Sequence, residues 1–75
     1  MNKNINDIAK RFGKNVQSYR IKNGMSLEEL SLKTGIKTGY LMRIENGTAK
    51  RLTCKHIFIF AEAFKIAPHK LCEGL

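Results

Sequence analysis

A chain of 75 residues forms one domain that buries only about 60% of its unfolded surface, which excludes a second domain and a deep substrate cavity. Its fourteen Lys and Arg outnumber six acidic residues, for a net charge of +8. On so small a domain this charge indicates a polyanionic partner, either nucleic acid or an anionic membrane surface, although a merely soluble basic protein is the alternative.

The first predicted element is an amphipathic helix capped by Asn6. Apolar residues recur at helical spacing here and throughout the chain, and no stretch alternates with a period of two for long enough to predict a strand. A basic amphipathic helix suits a membrane surface, but this apolar face is needed for the core. It carries Ile8, Phe12, Val16 and Tyr19.

The second helix and the turn after it have the residue order of a helix-turn-helix motif. Ser26, with Glu29 three residues later, is a capping box that predicts a helix over residues 27–34. Ser31 is the small residue at which a following helix can cross, and Gly35 supplies the turn. Any helical hairpin can share part of this residue order, so the pattern alone does not distinguish a helix-turn-helix from another pair of helices.

Three more helices are predicted after the turn. Gly47 ends the third, Thr53 caps the fourth, and Pro68 takes the first position of a short fifth, where its missing N–H is unpaired anyway. The chain is therefore predicted to form a single all-α domain of five helices. They cover about residues 7–23, 27–34, 38–46, 54–64 and 68–72.

Basic residues concentrate around the motif. Residues 33–55 hold six Lys and Arg and a single acid, Glu45. A charge run of this kind is often only a solvated loop, but its place beside the motif favours contact with phosphates.

Two segments carry a family resemblance, FGKNVQSYRIKNGMSLEELSLKTGIKTGYLMRIENG and AEAFKIAPHKL. Together they resemble the phage repressor and Cro type of helix-turn-helix protein, the XRE family with the lambda repressor-like fold, over about residues 8–73. The resemblance implies a compact five-helix fold and specific binding to double-stranded DNA, normally as a homodimer on a pseudo-palindromic operator. The second helix of the motif would lie in the major groove.

The resemblance also implies roles for individual residues. Arg43 is the strongest candidate for base recognition, because a guanidinium pairs bidentately with guanine, although a phosphate contact or a solvated charge is the alternative. The implied base-reading positions are Lys37, Thr38, Gly39 and Arg43, with Met42 near the groove; the implied backbone contacts are Tyr40, Asn46, Lys50 and Arg51; and the implied structural pair is Arg20 with Glu45.

The chain departs from the family pattern at several positions. Leu27 stands where Gln is common, which removes one expected phosphate contact. Lys37 stands where Ser or Thr usually caps the recognition helix, so Thr38 is expected to cap it instead and to shift its start by one residue. The loop after Asn46 is one residue longer than usual, and its sequence slightly resembles the controller proteins of restriction–modification systems.

The sequence does not favour a catalytic or a metal site. Cys54 and His56 lie two apart on a predicted helix and so point about 200° apart, which forbids joint zinc binding. Cys54 is predicted to be a small apolar core residue. No nucleophile stands with a base and there is no Gly-rich phosphate loop, so neither an enzyme nor a cofactor is expected.

The remaining expectations concern location and assembly. No apolar run approaches the ~20 residues of a membrane span, the start lacks a signal-peptide core, and two unpaired cysteines suit a reducing cytoplasm. We expect a regulator without a sensor domain; the alternative is a protein-interaction module of the same fold, such as an antitoxin or anti-repressor. The homodimer interface is predicted at the C-terminal end, around Ile59, Cys72 and Leu75.

Overall fold

The structure is a computed structural model that describes residues 5–75. Over this range it is all-helical and contains no strand, as predicted. The count of five α-helices is wrong, because the last segment is a 3₁₀ helix. The elements are α1 (Ile5–Lys22), α2 (Leu27–Thr34), α3 (Thr38–Asn46), α4 (Cys54–Phe64) and the 3₁₀ helix (Pro68–Cys72).

The bounds of α2, α3, α4 and the last segment coincide with those expected from the sequence, whereas α1 differs in its bounds and the last segment differs in its helix type. Asn6 lies inside α1 and does not cap it, because the helix already includes Ile5. At the other end, Pro68 starts a segment of only five residues in which the Lys70 N–H donates to the Ala67 carbonyl at 3.0 Å. So short a piece commonly takes the tighter i to i+3 pattern of a 3₁₀ helix.

One core holds these elements together. Phe60 lies at its centre, with its ring 6.1 Å from the rings of both Phe12 and Phe64. Burying each such side chain contributes roughly 1.5–3 kcal/mol, so these residues dominate the stability of the domain. The buried apolar residues come from all five elements and are Phe12, Val16, Leu30, Leu41, Ile44, Phe60, Ala61, Phe64 and Leu71.

Gly13 sets the distance between α1 and α3. It is buried, and a Cβ atom at this position would overlap the carbonyl oxygen of Ile44 and lie 2.9 Å from that of Glu45. No side chain fits between the two helices here, so only glycine permits their close approach. The end of α3 is therefore held against α1 by a backbone contact.

Cys54 was predicted to be a core residue, and this is wrong. It is the first residue of α4 and is exposed, because α4 reaches the core only further along, at Phe60, Ala61 and Phe64. Ile8 also lies further out than its place on the apolar face of α1 suggested, since only Phe12 and Val16 of that face are buried.

Candidate nucleic-acid interface

The second helix begins with the predicted capping box. The Ser26 hydroxyl accepts from the Glu29 N–H at 3.0 Å, and the Glu29 carboxylate accepts from the Ser26 N–H at 2.9 Å. Two N–H groups that the helix leaves unpaired are thereby satisfied, which fixes where α2 starts.

Gly35 ends α2 in the left-handed conformation, with φ 75°, and its N–H donates to the Ser31 carbonyl at 2.8 Å. The Thr34 hydroxyl adds a second constraint, because it donates to the Leu30 carbonyl at 2.8 Å and accepts from the Ile36 N–H at 3.2 Å. Glycine takes this conformation without the steric cost that a Cβ imposes. Hydrogen bonds of Gly35 and Thr34 therefore fix the conformation of the turn between α2 and α3.

The third helix starts at Thr38, and Lys37 is its N-cap with φ −62° and ψ 143°. The expectation that Thr38 caps the helix is wrong, since Thr38 is its first helical residue. No side chain hydrogen-bonds the first turn, because a lysine at the cap has no acceptor to offer. Gly47 ends the helix with φ 78°.

The third helix has two distinct faces. Leu41, Ile44 and Glu45 face inward and are buried. The exposed residues recur at i, i+3, i+4 and i+7, which places them in one stripe along the opposite face. They are Gly39, Met42, Arg43 and Asn46.

Arg20 and Glu45, expected to form a structural pair, make a two-bond ion pair between α1 and α3. Arg20 Nε lies 2.7 Å from Glu45 Oε2, and Nη2 lies 3.2 Å from Oε1. Arg20 Nη1 also donates to the Met25 carbonyl at 2.9 Å. The hydrogen bond to Glu45 raises the pKa of Arg20 above its ordinary value, although burial acts in the opposite direction. The carboxylate of Glu45 therefore faces the protein interior.

The loop after α3 is anchored at three points, and its basic pair projects from it. The Thr48 N–H donates to the Arg43 carbonyl at 2.9 Å, and the Arg51 N–H donates to the Tyr40 hydroxyl at 3.1 Å. The Thr53 N–H donates to His56 Nδ1 at 3.2 Å. The side chains of the loop residues Lys50 and Arg51 are exposed.

The structure brings the implied base-reading residues together. They line one open depression of about 580 Å³ at the start of α3, which Tyr40 also lines. Asn46 lies at the other end of the same exposed stripe. The residues of the depression are Lys37, Thr38, Gly39, Tyr40 and Arg43.

The residues expected at the dimer interface differ in how far they are exposed. Ile59 and Cys72 are half-buried, whereas Leu75 is 45% exposed and lines an apolar groove of about 400 Å³ together with Ile8 and Ile57. Phe58 is the large apolar residue that α4 exposes, with 62% of its surface accessible.

The site also depends on Gly13 and His56, whose roles were not predicted from the sequence. Gly13 shows no local signal, because its need for glycine comes from α3, which is distant in the chain. His56 fixes the loop through its bond to the Thr53 N–H and packs its ring 6.0 Å from that of Tyr40. The spacing of three residues after a threonine cap is the signal that points to His56.

Over residues 5–75, no three His, Cys, Asp or Glu side chains converge as a metal site requires. Within the same range, no helix combines the length and the apolar character that crossing a membrane demands.

Comparisons with known proteins agree with this geometry. The family model described as helix-turn-helix matches residues 16–71. The restriction–modification controller protein C.AhdI from Aeromonas hydrophila has a similar structure, with 27% identity, a TM-score of 0.78, and coverage of 84% of this chain and 94% of that one.

A hypothetical transcription factor, NHTF from Neisseria, is similar in fold, with 23% identity, a TM-score of 0.80, and coverage of 93% of this chain and 79% of that one. No curated protein matches the chain significantly. The matched family model covers most of the chain, including the motif of α2 and α3. The chain therefore belongs to the helix-turn-helix family, in its XRE or phage repressor and Cro type.

Proposed function

We propose that the protein is a sequence-specific regulator of transcription that binds double-stranded DNA with α3 in the major groove. The observation that carries this proposal is the exposed stripe of α3, which lies in a segment, residues 33–55, whose exposed charges are all positive. The six basic residues between positions 33 and 55 are all exposed, whereas the one acid of that span, Glu45, is buried against Arg20. A surface of this kind attracts a polyanion without a competing negative charge.

The exposed residues divide into two roles. Arg43 and Lys37 lie at the depression of α3, where they reach base edges and in particular the O6 and N7 acceptors of guanine. Lys50 and Arg51 project from the anchored loop and hold phosphates, which positions the helix without selecting a sequence. Tyr40 and Asn46 take the same positioning role. The Tyr40 hydroxyl still has a proton to donate after it accepts from the Arg51 N–H, and the side-chain amide of Asn46 is exposed at the end of the stripe.

Salt dependence tests the DNA-binding proposal directly. If each subunit neutralises about three phosphates, its affinity for a random duplex should fall about 40-fold between about 50 and 200 mM salt, because bound cations release counterions. Titration of a fluorescent random duplex at several salt concentrations measures this slope. Absence of duplex binding at the lowest salt would end the DNA-binding proposal. The interaction module of the same fold, an antitoxin or anti-repressor, would then take its place.

We also propose that the protein binds DNA as a homodimer through the apolar surface around Leu75. Two copies related by a two-fold axis engage two half-sites and add their contacts, which suits a domain that reads only a few bases. Leu75 and Ile8 leave apolar surface exposed along one groove, and Cys72 and Ile59 lie half-buried on neighbouring elements.

The substitution Leu75→Asp should make the protein monomeric, because it places a carboxylate in the centre of the proposed interface. Leu32→Asp is the matched control. Leu32 is 86% exposed on α2, a helix that packs on α3 and α4. Sedimentation equilibrium measures both variants, with a dimer expected for the wild type and for Leu32→Asp. A dimer that survives Leu75→Asp would place the interface elsewhere.

The similarity to C.AhdI favours one kind of regulator. C.AhdI is a restriction–modification controller protein, and it shares 27% identity with this chain over nearly its whole length. We infer that the protein is a controller-type regulator that acts in the cytoplasm without an enzymatic activity of its own. Binding to duplex DNA taken from upstream of a neighbouring restriction–modification operon tests this inference, and equal affinity for unrelated duplexes would contradict it.

A further inference from the structure

Met42 is an apolar side chain in the middle of a polar and basic surface. It is 51% exposed, and it is the one large apolar residue that α3 exposes. Its neighbours in the exposed stripe are Gly39, Arg43 and Asn46. Scattered exposed apolar residues are common, so the exposure of Met42 matters only in combination with what lies next to it.

Gly39 lies next to Met42 on the exposed face, about one helical turn earlier in the chain. Apart from its chain neighbours and the nearby backbone of α3 itself, no heavy atom lies within 4 Å of the place that a Cβ atom would occupy at Gly39, so packing within the domain does not require glycine there. Long side chains on a helix lean toward its N-terminus, over the preceding turn. By this general rule, Met42 at i+3 and Arg43 at i+4 are expected to flank the bare backbone of Gly39 on the exposed face. The space over Gly39, between Met42 and Arg43 on the exposed stripe, is called the notch, and Gly39 and Arg43 also line the depression at the start of α3.

We propose that this notch receives the C5 methyl group of a pyrimidine in the major groove, beside a base pair that Arg43 reads. The notch is shallow because Gly39 has no side chain, so a base edge can approach the backbone. Met42 supplies apolar contact to the methyl group, which is the one apolar mark that a base pair shows in the major groove. Thymine and 5-methylcytosine both present this group. The proposal rests on the proposed function and adds to it a chemical feature that the site selects.

The test removes only the methyl group from the DNA. A preferred duplex is first selected from a random pool, and each thymine in it is then replaced singly by deoxyuridine, which differs from thymidine by that methyl group alone. At one thymine in each half-site the affinity of the wild type should fall about 3- to 10-fold, as expected for the loss of one buried methyl contact. The other replacements should leave the affinity unchanged.

A second arm identifies the source of the methyl group. Each cytosine of the same duplex is replaced singly by 5-methylcytosine. A gain of about 3- to 10-fold at one cytosine assigns the notch to 5-methylcytosine, and a loss at one deoxyuridine assigns it to thymine. If neither replacement changes the affinity, the proposal is overturned.

Protein variants complete the experiment. Met42→Ala should bind the thymine and deoxyuridine duplexes equally, whereas Met42→Leu should retain most of the discrimination because it keeps the apolar wall. Lys50→Ala is the control, since the loss of a phosphate contact should weaken both duplexes by the same factor. Discrimination that persists in Met42→Ala would contradict the role of Met42. Failure of the wild type to select any duplex would instead overturn the DNA-binding proposal, and this inference with it.

Discussion

Replacing Gly13 with alanine should lower the free energy of unfolding by about 2 kcal/mol or more, although helix propensity alone predicts a gain of up to about 1 kcal/mol. The added Cβ atom would overlap the carbonyl oxygen of Ile44, and a backbone atom cannot move aside as a flexible side chain can. α1 and α3 would have to separate. A domain of 75 residues has a total stability of roughly 4–11 kcal/mol, so this loss is a large share of it.

Gly39→Ala is the matched control for this prediction. Both glycines lie within helices, but the space around Gly39 is open. The same substitution should therefore raise the stability there by up to about 1 kcal/mol, because the unfolded chain loses freedom and nothing clashes. Urea denaturation followed by circular dichroism measures both variants. Equal gains in the two would show that α1 and α3 do not approach as closely as the structure indicates.

The same glycine pair shows what a sequence can reveal about this fold. Local signals fixed the motif well, since the capping box of Ser26 with Glu29 and the left-handed Gly35 and Gly47 depend on neighbours within a few residues. These are interactions whose spacing along the chain is constant. Gly13 depends on a helix that lies some thirty residues away, and no local pattern distinguishes it from Gly39.

In the candidate site, too, the features that depend on residues distant in the chain could not be predicted from local patterns. Arg20 and Glu45 are 25 positions apart, so their pairing was implied by family resemblance and not by spacing. The bond between the Tyr40 hydroxyl and the Arg51 N–H depends on how the loop folds back on α3, which no periodicity encodes. The exposure of Cys54 was misjudged for a related reason, because burial at the end of a helix depends on where the helix meets the core.

Arg43→Ala should weaken binding to a selected duplex about 10- to 100-fold for each subunit that engages it, the largest effect expected from any single residue of the interface. Arg43 is exposed in the centre of the stripe of α3, and it lines the depression that also holds Lys37 and Gly39. A bidentate contact to guanine contributes about 1–3 kcal/mol of discrimination in each subunit. Competition between selected and random duplexes should show that most of the preference for the selected site is lost.

Lys70→Ala is the control for charge, because it removes one exposed cation from the 3₁₀ helix, which packs on α1 and α4. Its effect on binding should be small. A phosphate role for Arg43 makes a different prediction: Arg43→Ala would then weaken selected and random duplexes by the same factor and would reduce the slope of log affinity against log salt by about 1 per subunit. If Arg43→Ala keeps its preference for the selected duplex but shows a smaller slope of log affinity against log salt, Arg43 contacts phosphate and does not read a base. The selection of sequence would then rest with Lys37, Thr38 and the notch between Gly39 and Met42.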